Sequence, residues 1–476
     1  MGEEIRNSQY QPDDFKQFHE KLKTETELVS QWFHDNHFSS ASPVAGFELE
    51  AWLVDEQFRP SPLNDIFLKQ LNDPLASPEL ASFNVEFNTT PRPLTRHVFS
   101  AMHAELVQLW RRSKAVASSL DIRLAMIGIL PTVNDEDLNL ANMSKMQRYR
   151  ALNREVLHLR KGKPLVFDIT GEEHLHVVHR NVMLESAATS FQIHIQVSQE
   201  NAAQVYNTSL ILSAPMVAIS ANSPFLFGKN LWSETRIPVF EQAVAIGGFE
   251  AAAFGPIRRV TLGSGYVRES LMELFTENIE HYPILLPEQF SETKEHVRHL
   301  RLHNGTIWRW NRPLIGFDED GLPHLRIEHR VVPAGPSIID TIANAAFYYG
   351  VLFGLCAEFN DIESRLEFDK VRDNLYRAAR FGMQTQLNWL DNSTISAHEL
   401  LQQLLSYAKI GWQQLNISED DQHTYNSIIS DRIESGMTGS KWQRAFVSRY
   451  GKDFSALLAA YLEHQESGLP VSQWTI

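Results

Sequence analysis

The chain has 476 residues, of which 43% are hydrophobic and 21% charged, and its formal net charge is -15. This composition excludes a disordered chain and allows a large core, in one elaborate domain or in roughly two to three ordinary ones. The negative charge argues against nucleic acid or an anionic membrane as the main partner, so a small anionic substrate needs a locally basic, metal-assisted pocket.

The single cysteine and the apolar runs indicate the compartment. Cys356 lies in an apolar stretch, which is typical of a packing residue, and one cysteine excludes an internal disulfide. The N-terminus is acidic and has no apolar signal core. Residues 338–359 form the most apolar run, but Asp340 and Glu358 within it predict a core helix rather than a membrane span. We therefore expect a soluble, cytoplasmic protein with no membrane partner.

The first predicted helix and strand lie near the N-terminus. Residues 12–36 carry a helical apolar stripe, and a linker with serine and proline separates them from a predicted strand at residues 47–54. Because side chains alternate between the two faces of a strand, Glu48 and Glu50 share one face, opposite an apolar one. This face is either the solvated side of an antiparallel sheet or a buried side on which a hard divalent cation offsets two carboxylates.

The next stretch repeats this design and then reverses the local charge. Residues 82–89 alternate cleanly and predict a strand with Glu86 between two asparagines on its polar face. Residues 93–119 predict a helix and residues 123–130 a strand. Residues 145–163 then hold seven lysines and arginines against one glutamate. They form either a solvated helix face or a segment that faces phosphate or carboxylate.

Three histidines close together, His174, His176 and His179, raise the question of a zinc site, and with it a zinc hydrolase. Their spacing matches no zinc motif and no cysteine assists, so neutral or substrate-contacting histidines are the alternative. Residues 190–197 alternate again, with a histidine between two glutamines on the polar face.

The rest of the chain predicts a buried helix, a pair of strands and then a run of helices. Residues 201–221 predict a buried helix, and Arg236 follows in a predicted loop. Residues 306–311 and 324–332 predict a pair of strands. From residue 338 onward the pattern predicts helices over residues 338–359, 368–390, 397–415 and 441–466.

Four separated strands therefore carry polar residues on one face and apolar residues on the other. In the last of them Glu328 and Arg330 share the polar face. If the four strands are neighbours, they form one sheet whose apolar back is covered by helices and whose front is lined with carboxylates, a histidine and an arginine. The predicted fold class is α+β.

The polar strands and two short loops, taken in order, resemble the glutamate–cysteine ligase family, second type. This family belongs to the carboxylate–amine ligase superfamily that shares the glutamine synthetase catalytic fold. The motifs that carry the resemblance are residues 47–50, 84–87, 191–196, 221–224, 232–236 and 327–330. The resemblance covers roughly residues 40–345, and the helical residues beyond it carry no signature of the family.

The resemblance implies a curved, largely antiparallel sheet of glutamine synthetase-like type with helices on its back. The domain organisation expected from it is an N-terminal helix (1–39), a catalytic domain (40–345) and a C-terminal helical region packed on it (346–476). It also implies an ATP-dependent ligase of glutathione biosynthesis, in which the γ-carboxylate of glutamate becomes an acyl phosphate that an amine, cysteine or another amino compound, attacks.

The resemblance also implies roles for individual residues. Mg²⁺ or Mn²⁺ ions would clamp the phosphates of ATP, since phosphoryl transfer mainly needs charge neutralised and groups held in line. The expected metal ligands are Glu48, Glu50, Glu86, His194 and Glu328. The expected catalytic residues are Arg330 and Arg236, whose planar guanidinium groups suit phosphate or carboxylate oxygens. The expected substrate-binding residues are Arg148, Tyr149 and Gln196.

A second class of function is a non-catalytic relative that binds nucleotide or an amino acid and acts as a regulatory partner. The retention of all four strand carboxylates argues against this class, because a binding module does not need so many uncompensated charges.

Overall fold

An antiparallel sheet, curled into a half-barrel, organises the molecule. The computed structural model describes residues 4–41, 43–246, 258–290 and 294–476, so residues 1–3 of the predicted N-terminal unit lie outside it. Along the sheet the strands follow the order β11-β12-β8-β1-β3-β2, and β4 and β5 also pair with β1. Three separate hairpins pair β6 with β7, β9 with β10 and β13 with β14. The strands are β1 Val44–Val54, β2 Ala76–Pro78, β3 Asn84–Asn88, β4 Arg92–Pro93, β5 Arg123–Ala125, β6 Leu165–Thr170, β7 His174–His179, β8 Phe191–Val197, β9 Phe225–Leu226, β10 Lys229–Asn230, β11 Asn311–Phe317, β12 Pro323–His329, β13 Gln386–Trp389 and β14 Ser393–Ser396.

Helices cover the apolar side of the sheet and fill the C-terminal part of the chain, as the α+β prediction requires. The helices are α1 Pro12–His34, α2 Asn64–Leu71, α3 Val98–Ser119, α4 Gln147–Leu159, α5 Ala202–Ser220, α6 Arg236–Ala243, α7 Met272–His281, α8 Arg298–Gly305, α9 Ile338–Glu358, α10 Phe368–Phe381, α11 Ala397–Gln414, α12 Glu419–Ser435, α13 Gly439–Tyr450 and α14 Phe454–Ser467.

Strand β8 shows how the alternating sequence becomes two distinct faces. Phe191, Ile193 and Ile195 are fully buried in the main core. The intervening polar side chains are also buried, with Gln192 only 4% and His194 only 6% exposed. The polar face of the sheet is therefore covered by protein, which excludes the solvated-face explanation for these strands.

Two core helices, α5 and α9, pack against each other behind the sheet. Both are long and apolar enough to cross a membrane by length and composition, but 89% and 83% of their apolar windows are buried inside the protein. This burial agrees with the prediction of a core helix at residues 338–359.

The C-terminal helices differ from the sequence prediction in their breaks. The helix predicted at residues 368–390 ends at Phe381, where Gly382 takes φ 58°, and the β13–β14 hairpin follows. The helix predicted at residues 441–466 is two helices, separated at Gly451 with φ 85°. Glycine adopts such a left-handed backbone at no steric cost, and helices commonly end at it.

Three shorter predictions also need correction. The strand predicted at residues 123–130 ends at Ala125, and the strand predicted at residues 306–311 begins only at Asn311 and runs to Phe317. Arg236, predicted in a loop, is the first residue of α6.

A buried ion pair fastens α12 to α9. Arg432 and Asp340 are 1% and 0% exposed, and Nη2 of Arg432 lies 2.6 Å from Oδ1 of Asp340. The other carboxylate oxygen of Asp340 accepts hydrogen bonds from the Ser337 hydroxyl at 2.7 Å and the Val471 amide at 2.9 Å. A single hydrophobic cluster contains residues from α1, from the sheet and from the helices up to α12. This cluster crosses the domain boundaries expected at residues 39 and 345, and those boundaries stay predictions.

We expect Arg432→Met to lower the free energy of unfolding by about 3–5 kcal/mol, because it leaves the Asp340 carboxylate buried without its cation. Denaturant or thermal unfolding followed by circular dichroism measures this loss. The control is Arg377→Met, which removes a half-exposed arginine paired with Asp373 on the surface of α10 and should cost less than about 1 kcal/mol. Equal losses in the two variants would contradict the buried pair's role.

Candidate active site

Strand register brings the predicted polar residues together. In the β1–β3 ladder Glu50 lies opposite Glu86. In the β8–β12 ladder His194 lies opposite Glu328. Because Glu50, Glu86, His194 and Glu328 occupy paired positions on adjacent strands, they meet on one face although the sequence separates them by up to 278 residues.

This polar face forms one wall of a cavity of about 260 Å³. In the described part of the chain, six glutamates and six arginines line the cavity. The glutamates are Glu48, Glu50, Glu79, Glu86, Glu185 and Glu328. The arginines are Arg148, Arg298, Arg301, Arg312, Arg326 and Arg330. The lining also contains apolar side chains, which include Val244, Phe275, Leu286, Leu302, Trp308, Leu314 and Ile315.

The first possible metal-binding group consists of Glu48, His194 and Glu328, which each offer one ligand atom within 4.8 Å of the others. Nε2 of His194 lies 3.5 Å from a Glu48 oxygen and 3.6 Å from a Glu328 oxygen, and neither ring nitrogen has a hydrogen-bond partner. Burial lowers the pKa of His194 to about 4 despite the two nearby carboxylates. The imidazole is therefore neutral near pH 7, which is the form that binds metal.

The second group consists of Glu50, Glu79 and Glu86, with ligand atoms within the same 4.8 Å. Desolvation and the Glu79 carboxylate raise the pKa of Glu50 to about 7, against hydrogen bonds from Ser190. Desolvation and the nearby Glu48 carboxylate raise the pKa of Glu86 well above its usual range, and desolvation also raises the pKa of Glu79. The three carboxyl groups therefore resist ionising together, as expected of like charges that share a buried site.

Both groups fit a hard divalent cation by their donor chemistry. The second group supplies only carboxylate oxygens, which are the ligands that Mg²⁺ prefers. The first adds a neutral imidazole whose nitrogen has no hydrogen-bond partner, a combination that Mn²⁺ accepts more readily than Mg²⁺.

Arginines surround the first group. Arg312 binds both oxygens of Glu328, at 2.7 and 3.0 Å, and Arg330 donates to one of them at 3.1 Å. Although burial alone would raise it, these two cations hold the pKa of Glu328 well below its usual range. Glu328 is therefore ionised, and its hydrogen bonds help to hold the side chains of Arg312 and Arg330 in place.

Helix α4 brings Arg148 and Tyr149 to the same cavity. Arg148 is 7% exposed, donates to the Tyr149 hydroxyl and lies over the Tyr149 ring at 4.5 Å from its centroid. Its Nε and Nη1 atoms are buried and have no hydrogen-bond partner. Burial would lower the pKa of Arg148, but the Tyr149 hydroxyl and Glu79 raise it, so the cation is retained.

Two predicted site residues lie outside the cavity lining. Nη1 of Arg236 contacts Glu234 at 3.1 Å and the Val331 carbonyl at 3.2 Å, and Nη2 contacts the Arg330 carbonyl at 3.5 Å. Arg236 therefore lies behind Arg330 rather than beside it. Gln196 is buried opposite Arg326, further along β8.

The three histidines of β7 do not come together. His174 and His176 are exposed and both contact Asp168 across the hairpin, at 2.9 and 3.5 Å. His179 is buried on the opposite face and contacts Asp135 at 2.5 Å. This arrangement offers no shared zinc site for the three histidines.

The sequence analysis missed six charged residues of the cavity, namely Glu79, Glu185, Arg298, Arg301, Arg312 and Arg326. Glu79 directly follows β2, in which Ser77 pairs with Glu86. Residues two positions apart on a strand share a face, so the spacing of residues 77 and 79 was the available signal for Glu79. Arg312 lies opposite Glu328 but falls just beyond the predicted end of its strand. Glu185 lies in the short 3-10 helix Met183–Ala187, for which no pattern pointed to the site.

We expect Glu79→Gln to weaken Mn²⁺ binding by about tenfold or more, because one of three ligand carboxylates becomes a neutral amide. The same change should raise the thermal unfolding midpoint of the metal-free protein, because it removes like-charge repulsion in the cavity. Electron paramagnetic resonance of free Mn²⁺ measures the first effect and calorimetry the second. Glu200→Gln, on the surface after β8, is the control, and unchanged Mn²⁺ affinity in Glu79→Gln would exclude Glu79 as a ligand.

Comparison with solved structures identifies one ligase of similar fold and further matches with lower TM-scores. The glutamate–cysteine ligase of Francisella tularensis, in complex with AMP, aligns with TM-score 0.53 and 13% identity over 92% of this chain and 96% of that chain. The bifunctional glutathione synthetase of Pasteurella multocida aligns with TM-score 0.47 and 11% identity over 92% of this chain and 54% of that chain. The ligase PafA in complex with the prokaryotic ubiquitin-like protein Pup gives TM-score 0.38 and 12% identity over 88% and 71%. The comparison with curated proteins yields no match.

The family model extends the resemblance seen in the sequence. The model of Glutamate-cysteine ligase family 2 (GCS2) matches residues 44–461. The match includes helices α9 to α13 and more than half of α14, so the expectation that the helical residues beyond 345 carry no signature of the family is wrong. The α+β fold and the family resemblance are confirmed. The chain belongs to Glutamate-cysteine ligase family 2, and it is an ATP-dependent carboxylate–amine ligase.

Proposed function

We propose that the protein joins the γ-carboxylate of glutamate to an amine through an acyl phosphate, in the cavity on the polar face of the sheet. The observation that carries this proposal is that both possible metal-binding groups lie beside buried arginines in the same cavity. Cysteine is the first amine to consider because of the family, and the cavity lining does not by itself select a thiol.

The charges are distributed as phosphoryl transfer requires. The two possible metal-binding groups, one with Glu48, His194 and Glu328 and the other with Glu50, Glu79 and Glu86, would hold Mg²⁺, which would neutralise and polarise the phosphates of ATP. Arg330 and Arg312 lie on the side of Glu328 and present guanidinium groups suited to phosphate oxygens. We assign to Arg330 the charge that develops on the transferred phosphoryl group.

The reaction has two bond exchanges. A γ-carboxylate oxygen of glutamate attacks the terminal phosphorus of ATP, the bond to the bridging oxygen breaks, and ADP leaves. The amine nitrogen then attacks the acyl carbon, phosphate leaves, and the amine gives up one proton as the amide forms. The covered polar face keeps water from the acyl phosphate, which would otherwise hydrolyse.

Arg148 and Tyr149 are assigned to the acid substrate. Arg148 has two buried nitrogen atoms, Nε and Nη1, without hydrogen-bond partners, and a substrate carboxylate would accept hydrogen bonds from them. Arg236 is assigned a supporting role, since its contacts hold the backbone at Val331 and Arg330.

Turnover tests the proposal directly. Purified protein with ATP, Mg²⁺, glutamate and a panel of amines that includes cysteine should release phosphate only when both co-substrates are present. Hydroxylamine in place of the amine should give a γ-glutamyl hydroxamate, because it traps an activated carboxylate. Phosphate release without any acid-dependent product, or no release with every pair, would overturn the glutamate and acyl phosphate assignments.

The two predicted catalytic arginines should respond differently to the same change. Arg330→Lys should lower kcat by at least about tenfold, since a lysine cannot replace the bidentate donor at developing phosphoryl charge. Arg236→Lys should instead lower the unfolding midpoint with a smaller change in kcat, because Arg236 contacts Glu234 and backbone rather than the cavity. Steady-state kinetics and thermal unfolding of both variants separate these outcomes, and the reverse pattern would contradict both assignments.

A further inference from the structure

Helix α8 lines the cavity but lacks a cap of its own. It contributes Arg298, Arg301 and Asn304 to the lining. The residue before it, Val297, makes no side-chain cap and takes φ 41° and ψ 42°, and the first turn holds no acidic residue. A β-branched residue in this left-handed conformation is strained, and valine has no oxygen to accept the free amides of the first turn.

Glu25 of α1 supplies the missing cap from a distant part of the chain. Its Oε2 accepts the Leu300 amide at 2.8 Å, and its Oε1 lies 2.5 Å from Nδ1 of His299. Glu25 is 3% and His299 4% exposed. A buried carboxylate at the positive end of a helix is stabilising, and it satisfies one of the orphan amides.

The position of Glu25 in α1 makes its role specific. The buried stripe of α1 includes Phe18, Leu22, Val29 and Phe33, and Glu25 occupies a place in this stripe where an apolar residue would pack. A charge at this buried position costs free energy unless hydrogen bonds offset it. The contacts of Glu25 with Leu300 and His299 of α8 supply that compensation.

A second helix of the cavity is capped by the same N-terminal segment, residues 4–38. Met146, which precedes α4, makes no side-chain cap, and the first turn of α4 also lacks an acidic residue. Oε1 of Glu4 accepts the Gln147 amide at 2.9 Å and the Arg148 amide at 3.3 Å. Both capping glutamates precede residue 44, where the match to the family model begins.

We propose that Glu25 is a positioning residue of the ligase: it caps α8 and thereby holds Arg298 and Arg301 at the cavity, as Glu4 does for Arg148 on α4. The N-terminal segment is then a working part of the active site. This inference rests on the proposed function in one respect, that the cavity binds the anionic substrates.

The test uses Glu25→Gln and Glu25→Ala in the full chain, with Glu27→Gln as the matched control, since Glu27 is exposed on the same helix. Hydrogen exchange should become faster in the peptide that covers residues 298–305 in both Glu25 variants and remain unchanged in the control. This readout does not depend on turnover. Unchanged exchange in α8 would overturn the cap.

Kinetics then separate positioning from general destabilisation. Arg298→Gln first identifies which anionic substrate, ATP or the acid, depends on α8. Glu25→Gln should raise the KM of that same substrate by about fivefold, the effect of losing a typical helix cap, and change kcat by less than about twofold. A fall in kcat with the KM of every substrate unchanged would overturn the positioning role. Faster hydrogen exchange in α8 with KM unchanged would overturn it too.

Failure of the proposed function would look different. If wild-type protein and the Glu27→Gln control release no phosphate with any substrate pair, the substrate assignment fails. The dissociation constant of Mg-ADP, measured by calorimetry with the same variants, then decides the inference. It should rise in Arg298→Gln and Glu25→Gln together, and a rise in Arg298→Gln alone would overturn the inference. If it rises in neither variant, the dissociation constant of glutamate is measured in the same way, and a rise in neither variant there as well would also overturn it.

Discussion

Buried like charge is the constraint on which this structure depends. Glu48, Glu86 and Glu328 are at most 8% exposed, on a sheet face that protein covers. Carboxylates in such a place are costly unless cations or hydrogen bonds offset them. The protein offsets them unequally. Glu328 has two arginines, whereas the group of Glu50, Glu79 and Glu86 has mainly hydroxyl and amide donors and the more distant Arg148. The deficit of positive charge therefore lies at the second group.

The surrounding elements divide the work between them. Strands β1 and β3 supply three of the acids and β8 supplies the imidazole, while α4, α8 and β11 contribute only arginines to the charge of the lining. Strand β12 supplies charge of both signs, through Arg326 and Glu328. Because α4 and α8 carry Arg148, Arg298 and Arg301, the contacts that anchor these two helices help to set where positive charge lies in the cavity.

The sequence predicted those parts of the site that follow from local alternation. Glu48, Glu50, Glu86, His194 and Glu328 stand on period-two strands, and all of them line the cavity. The register between strands and the contacts between distant residues leave no local pattern in the sequence. The sequence could therefore not show that Arg312 lies opposite Glu328, or that Arg236 turns toward Glu234.

The fold was predictable to a similar degree and for the same reason. Hydrophobic periodicity located the main strands and the two core helices, because burial on one side dictates the pattern. The breaks at Gly382 and Gly451 were missed, since helical periodicity on both sides concealed a single left-handed residue. The capping of α8 by Glu25 joins residues 275 positions apart, and only the packed structure reveals it.

The contacts of Asp340 have a consequence for how the chain matures during translation. The core helix α9 is synthesised before the partners of its buried carboxylate, because Arg432 and Val471 follow Asp340 by 92 and 131 residues. Until both have emerged from the ribosome, burial of α9 would leave the Asp340 carboxylate with only Ser337 as a side-chain partner. Stable packing of this core helix therefore has to wait for the C-terminal end of the chain.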